Sequence, residues 1–109
     1  MGEIYTTGTW RPTRGREDAF MQAWAEFASW ASSRDGAGTL TLTRERSDSR
    51  RFVSFGVWES EEAVRAWKGG DEFREGLARV LQHVDDFKPA ELEVVAIAHA
   101  GASSTAVTA

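Results

Sequence analysis

Cysteine is absent from the chain, and with it go disulfides, thiolate nucleophiles and thiolate-held zinc or iron–sulfur centres. Histidine is scarce. His83 and His99, sixteen positions apart and without a cysteine to assist them, do not make a dedicated transition-metal site. No apolar run approaches the roughly 18 residues of a membrane span, and the N-terminus has no basic segment followed by an apolar one. A soluble protein that stays in the cytoplasm is therefore expected. No charge of one sign dominates either: 13 basic against 17 acidic residues give a net charge of −4. Such a mixed surface has no field to attract nucleic acid or an anionic membrane. Gly69-Gly70 lacks the following Lys-Ser or Lys-Thr of a phosphate-cradling loop. The opening Met-Gly-Glu-Ile-Tyr-Thr fits the loose myristoylation pattern only by chance, since it doubles as the start of a strand.

What remains is a chain of 109 residues, 41% hydrophobic, enough for one domain that buries about two-thirds of its unfolded surface. Ile4 to Trp10 alternates threonine with larger residues and reads as a first strand, stopped at Arg11-Pro12. From about Arg16 to Ser32, Phe20, Ala23, Trp24, Phe27 and Ala31 recur at the spacing of one helical stripe. Gly36 and Gly38 close that segment, and Thr39 to Arg44 alternates Leu40 and Leu42 with threonines, as a half-buried strand does. The polar run Glu45 to Arg51 then joins it to the strand Phe52 to Trp58 as a hairpin. Its arginines, with Arg44, form the one basic concentration, read as a solvated connection in preference to an anion contact.

Ser60 suits the N-cap of a short helix through Trp67, with Glu61 and Glu62 in the first turn. After Gly69-Gly70, Asp71 is expected to cap a third helix with Phe73, Leu77, Val80, Leu81 and Val84 on one stripe. Asp85, Asp86 and Pro89 break that pattern, and Leu92 to Ala98 reads as the last strand. Residues 1–99 make the domain, and the small, polar 100–109 a mobile tail. The order β-α-β-β-α-α-β is the α+β, ferredoxin-like arrangement around an antiparallel sheet.

One feature reaches beyond the single chain. Side chains alternate along a strand, so Phe52, Ser54, Gly56 and Trp58 face one way and Val53, Phe55 and Val57 the other. Neither face is polar, and Leu92 to Ala98 repeats the pattern. A second copy of the protein is the simplest cover for the second face, so a homodimer is expected.

The stretch Phe52-Val-Ser-Phe-Gly-Val-Trp58 running into Glu59-Ser-Glu-Glu-Ala63, then Trp67, the Asp71-Glu-Phe73 helix start and Pro89 before Leu92-Glu-Val-Val95, resembles the antibiotic biosynthesis monooxygenase family over about Ile4 to Ala98. The resemblance implies a dimeric α+β barrel built from two ferredoxin-like sheets. It also implies one of several activities: flavin-free oxygenation of polyketide anthrones, haem degradation or quinol handling. Trp67 falls where family oxygenases and haem degraders place a pocket tryptophan; packing of its helix against Ala63 and Val64 is the alternative. Haem degraders carry a ligand histidine ten residues later, where this chain has Leu77, and a first-strand asparagine, a residue type this chain lacks. Anthrone oxygenases pair the tryptophan with an asparagine one turn earlier and a tyrosine shortly after; here Ala63 and Phe73 stand instead.

The leading expectation is a monooxygenase that uses no cofactor and oxidises an aromatic or polyketide-type small molecule. A non-catalytic dimeric binding module and a protein that binds haem through His83 are the alternatives. Oxygenation without a cofactor requires a substrate that becomes a carbanion, with a protein that takes a proton, holds the enolate and excludes water. Phe20, Trp24, Phe27, Trp67, Phe73 and Leu77 are aimed at the sheet and line either a cavity or a solid core. Three residues are candidates for the chemistry. His83, about 100° round its helix from the stripe, is the candidate base. Arg44 shares strand parity with Leu40 and Leu42 and is a candidate enolate holder, and Trp67 is a donor through its indole N–H.

Overall fold

In the computed structural model, which describes residues 3–101, the chain runs β1 (Ile4–Pro12), α1 (Glu17–Ala31), β2 (Ala37–Arg44), β3 (Phe52–Trp58), α2 (Glu61–Lys68), α3 (Asp71–Leu81) and β4 (Val84–Glu93). The strands form one antiparallel sheet in the order β2-β3-β1-β4, which with three helices is the α+β ferredoxin-like fold. Beyond residue 101, the expected tail lies outside the described residues. Among those residues no helix is long and apolar enough to cross a membrane.

Strand alternation sorts the side chains as period two demands. On β3, Phe52, Ser54, Gly56 and Trp58 are buried, while Val53 and Val57 are half-buried and Phe55 is 38% exposed. On β1, Thr6, Gly8, Trp10 and Pro12 are buried in turn. The helices pack on this face in two clusters. Trp10, Phe20, Phe52 and Val80 form one, and Ala31, Trp58, Val64 and Trp67 the other, with Phe27 of α1 touching both. Phe20 sits 5.4 Å from Trp10 and 5.1 Å from Phe52 between ring centroids, and aromatic contacts of this kind add about 0.5–1.5 kcal/mol each to area burial. The single chain puts no layer over the opposite face.

Local chemistry explains the helix starts. The Ser60 hydroxyl accepts from the Ala63 N–H at 3.1 Å, a cap that satisfies one of the orphan donors of α2. Asp71, expected to cap α3, is instead its first residue: Gly70 occupies the cap, and the carboxylate faces the positive end of the helix dipole. The last strand differs from its expected position. It spans Val84–Glu93 instead of Leu92 to Ala98, and residues 94–99 carry no regular structure, leaving Val95 85% exposed. Pro89 and the Asp85-Asp86 pair signal a break, yet an edge strand tolerates both. Half its N–H groups face away from its one partner, and charge protects the open edge.

The β2–β3 connection is fastened by ion pairs and hydrogen bonds. Arg11 of β1 holds Asp48 at 3.0 Å, Arg51 holds Glu45 at 2.9 Å, and Arg50 donates to the Pro12 carbonyl at 3.2 Å while pairing with Asp85. The Arg11 guanidinium, then the Arg50 backbone N–H, hold the Asp48 carboxyl below its usual range; Ser47 and then Arg51 do the same for Glu45. A carboxylate whose folded pKa is depressed contributes stability above its unfolded pKa, and that contribution disappears as the pH falls through the folded value. Asp48→Asn is therefore expected to be less stable than the parent chain at pH 7, with the gap closing below about pH 4. Urea unfolding across that range checks it; a gap that is constant with pH would contradict the assignment.

Candidate functional site

A hollow opens between the sheet and the helices because four small side chains meet at the centre of the helix-facing surface. β1 and β3 pair with Thr6 beside Gly56 and Gly8 beside Ser54, flanked by Ile4 beside Trp58 and Trp10 beside Phe52. Both strands thus run large, small, small, large on the inward face. A Cβ on Gly8 would stand 2.8 Å from Trp10 Nε1 and 2.9 Å from Phe87, and one on Gly56 2.8 Å from Thr6 Oγ1. These approaches are closer than carbon atoms permit, so the floor admits nothing larger than glycine there. The space is partly enclosed and measures about 200 Å³.

Each element places part of the wall. α1 contributes Trp24 and Phe27, α2 contributes Trp67 and Lys68, α3 contributes Phe73 and Leu77, and β4 contributes Phe87 and Pro89. Trp67, 8% exposed, stacks on Trp58 at 4.4 Å and meets Phe73 edge-on at 4.9 Å. Its position serves both packing and the wall. The polar groups of the floor are engaged by the flanking indoles. Trp10 Nε1 donates to Ser54 Oγ at 2.9 Å, and Trp58 Nε1 donates to Thr6 Oγ1 at 3.2 Å. Each hydroxyl retains its own hydrogen to donate.

Trp67 Nε1 is different. It is buried and has no hydrogen-bond partner among the described residues. A buried donor left unmade costs about 1–3 kcal/mol, and Trp30 Nε1, away from the hollow, is unpartnered in the same way.

Five of the residues picked from the sequence come together here: Trp24, Phe27, Trp67, Phe73 and Leu77. Phe20 does not; its ring fills the cluster around Trp10 and Phe52, one step along the sheet from the hollow. Arg44 and His83 also lie off the wall. Arg44, at the end of β2, sets its guanidinium 4.9 Å from the centre of the Phe52 ring and donates to Met21 Sδ. His83 follows α3, and its Nδ1 lies 2.8 Å from Arg16 Nη2, an exposed contact that turns the imidazole toward α1's start. Edge positions on a stripe face a neighbour or the solvent as readily as the core, and each of these found a neighbour. Thr6, Gly8, Ser54 and Gly56 were not picked, although the paired large-small-small-large pattern marks them once β1 and β3 are set in register. Lys68 was also missed, because a charged helix end reads as solvated. Among the described residues no three histidine, cysteine or acidic side chains gather as a metal site would require.

No curated protein matches the chain by sequence. Solved structures do match in fold. SnoaB, a cofactor-independent oxygenase from Streptomyces nogalater, superposes with a TM-score of 0.77 at 18% identity, covering 93% of this chain and 99% of its own. A candidate antibiotic biosynthesis monooxygenase of Deinococcus radiodurans gives a TM-score of 0.79 at 14% identity, with 88% and 96% covered. A conserved protein from Methanosarcina mazei Go1 gives 0.76 at 13%, with 84% and 91% covered. At such identities these likenesses establish the fold, and the family follows from the sequence model for antibiotic biosynthesis monooxygenases, which matches residues 4–79. Most of the sheet, α1, α2 and nearly all of α3 fall within that match, and the chain belongs to the antibiotic biosynthesis monooxygenase family.

Proposed function

We propose that the chain is a monooxygenase that needs no cofactor and oxidises an aromatic, polyketide-type small molecule in the hollow beside Trp67. The observation that carries this reading is the apolar, aromatic-walled hollow that Trp67 helps to line over the small-residue patch of the sheet. Family membership and the fold shared with SnoaB, a cofactor-independent oxygenase, support it. The chemistry asks little of the protein. An activated CH₂ loses a proton, the carbanion passes its electrons to dioxygen and forms a C–O bond, and the hydroperoxide then loses water to leave a carbonyl. One oxygen atom ends in the product and one in water. An apolar wall keeps bulk water from the carbanion, and a donor held in place stabilises the enolate oxygen. No carboxylate or imidazole lines the hollow among the described residues, so the substrate's proton leaves to water through the opening.

The working unit in this reading is a homodimer. Phe55 at 38% and Leu92 at 50% exposure stand on the uncovered face of β3 and β4, with Val53 and Val57 half-buried beside them. A face of this composition is a docking surface for a like face. Light scattering at micromolar concentration is expected to give twice the chain mass, and Phe55→Glu to give the chain mass alone. A monomeric parent chain would remove the dimer from the proposal.

Activity is tested by incubating the chain with a panel of anthrones in oxygenated buffer and following quinone formation. Trp67→Phe keeps the ring and deletes the donor, and is expected to lower kcat by about 10²-fold, as loss of an oxyanion donor does. Quinone formation no faster than in buffer alone would refute the reading. Binding without turnover would leave a small-molecule-binding module, the role that Ala63 and Phe73, in place of polar side chains, also suit.

A further inference from the structure

Among the described residues that line the hollow, Lys68 is the one with a charged side chain. It is the last residue of α2, where the negative end of the helix dipole favours a cation. Its Nζ reaches across to β4, 2.8 Å from Glu91 Oε2, and lies 5.9 Å from the centre of the Trp67 ring. Lys68 and Glu91 also line a groove on the outer surface beside Val64 and Gly69. The Lys68 side chain therefore stands between that groove and the hollow.

We propose that Lys68 is the recognition group for an acidic oxygen of the ligand, with Glu91 as its resting counter-ion. This deepens the reading above and rests on the hollow being the ligand site. The ligand class follows from the cation and the space. A hollow of 200 Å³ is somewhat larger than the roughly 150 Å³ that holds benzene, so it encloses one or two rings of a fused system and leaves any further ring in the opening. The ring system carries a phenolic or enolic oxygen, bound as the oxyanion at Lys68 Nζ. The exchange of partners is favourable because a partly exposed Lys–Glu pair is worth little, whereas an oxyanion against an apolar wall is poorly served by water. The same pairing answers how a site without a wall carboxylate or imidazole ionises its ligand. A cation within contact lowers the pKa of the bound phenol, so that the proton leaves to water unaided.

The test uses the full chain, with 4-nitrophenol, whose ionisation is read by its colour, and 4-nitroanisole, its un-ionisable counterpart, followed through tryptophan quenching. The pKa of bound 4-nitrophenol is expected to fall by about one unit or more, with the phenolate bound at least about tenfold tighter than 4-nitroanisole. Lys68→Met should abolish that preference and leave 4-nitroanisole binding within about twofold of the parent; Lys68→Arg should keep the preference. Glu91→Gln, which removes the competing carboxylate, should tighten the phenolate further. If both probes bind the parent chain equally, or Lys68→Met keeps the phenolate preference, the assignment of Lys68 falls and the hollow stands as a site. If neither probe binds, the hollow is not a ligand site, and this inference falls together with the reading on which it rests.

Discussion

The register between β1 and β3 is the constraint on which the molecule turns. It sets Thr6 and Gly8 beside Gly56 and Ser54, so four small residues that are separate in sequence become one bare patch. A slip of β3 by one residue would send Ser54 and Gly56 to the opposite face and bring Val53 and Phe55 inward. The ends of the patch are fastened by the patch itself. The hydroxyls of Ser54 and Thr6 accept from the indoles of Trp10 and Trp58, which lean over Gly8 and Gly56. Emptying the centre and fixing the walls are thus one arrangement. Its cost is not small: at about 24 cal/mol per Å³, a closed and dry hollow of 200 Å³ would forfeit about 5 kcal/mol, a large share of a small domain's stability.

The opposite side of the sheet obeys different physics. There Val53, Phe55 and Val57 on β3 and Leu92 on β4 make an apolar band among the threonines of β1 and β2. Thr7 and Phe55, of that face, also border the hollow, because the sheet is one residue thick where its floor is made of glycine. Whatever covers the outer face also steadies the floor.

Element type and order were legible because long periodic stretches carry strong signals. The Phe20-Trp24-Phe27 stripe, the Ser60 cap and the alternation along β3 each correspond to what the chain forms. β4 was not legible. Only Val84 and Phe87 of its ten residues are even half-buried, so packing left almost no pattern on it, while the more apolar run after Glu93 has no strand partner. The site was legible in part. Aromatic positions on helical stripes point toward the sheet, and five of them reach the hollow. Small residues announce nothing singly, however. A glycine in a strand has many explanations, and Gly8 and Gly56 gain meaning only when strand pairing puts them beside each other's neighbours. Direction at the edges was equally hidden, since Arg16 and Met21, the partners that hold His83 and Arg44, lie far from them in the chain.

Within its family the chain is defined by what it gives up. The family resemblance implies an asparagine, a tyrosine or a histidine at the positions of Ala63, Phe73 and Leu77, where this chain has hydrocarbon. Two of them, Phe73 and Leu77, line the hollow, and Ala63 packs beside Trp67 and Trp58. Such a wall gives strong burial and little direction, so orientation must come from the few polar atoms that remain. These are the indole N–H of Trp67, the hydroxyls of Thr6 and Ser54 on the floor, and the ammonium at the end of α2. In a dry space a few fixed dipoles act more strongly than many would in water. Three hydrogen-bond donors and one cation can hold an oxygen anion, but none of them is a base. The geometry therefore selects ligands that ionise readily, and places the burden of reactivity on the ligand's own electrons.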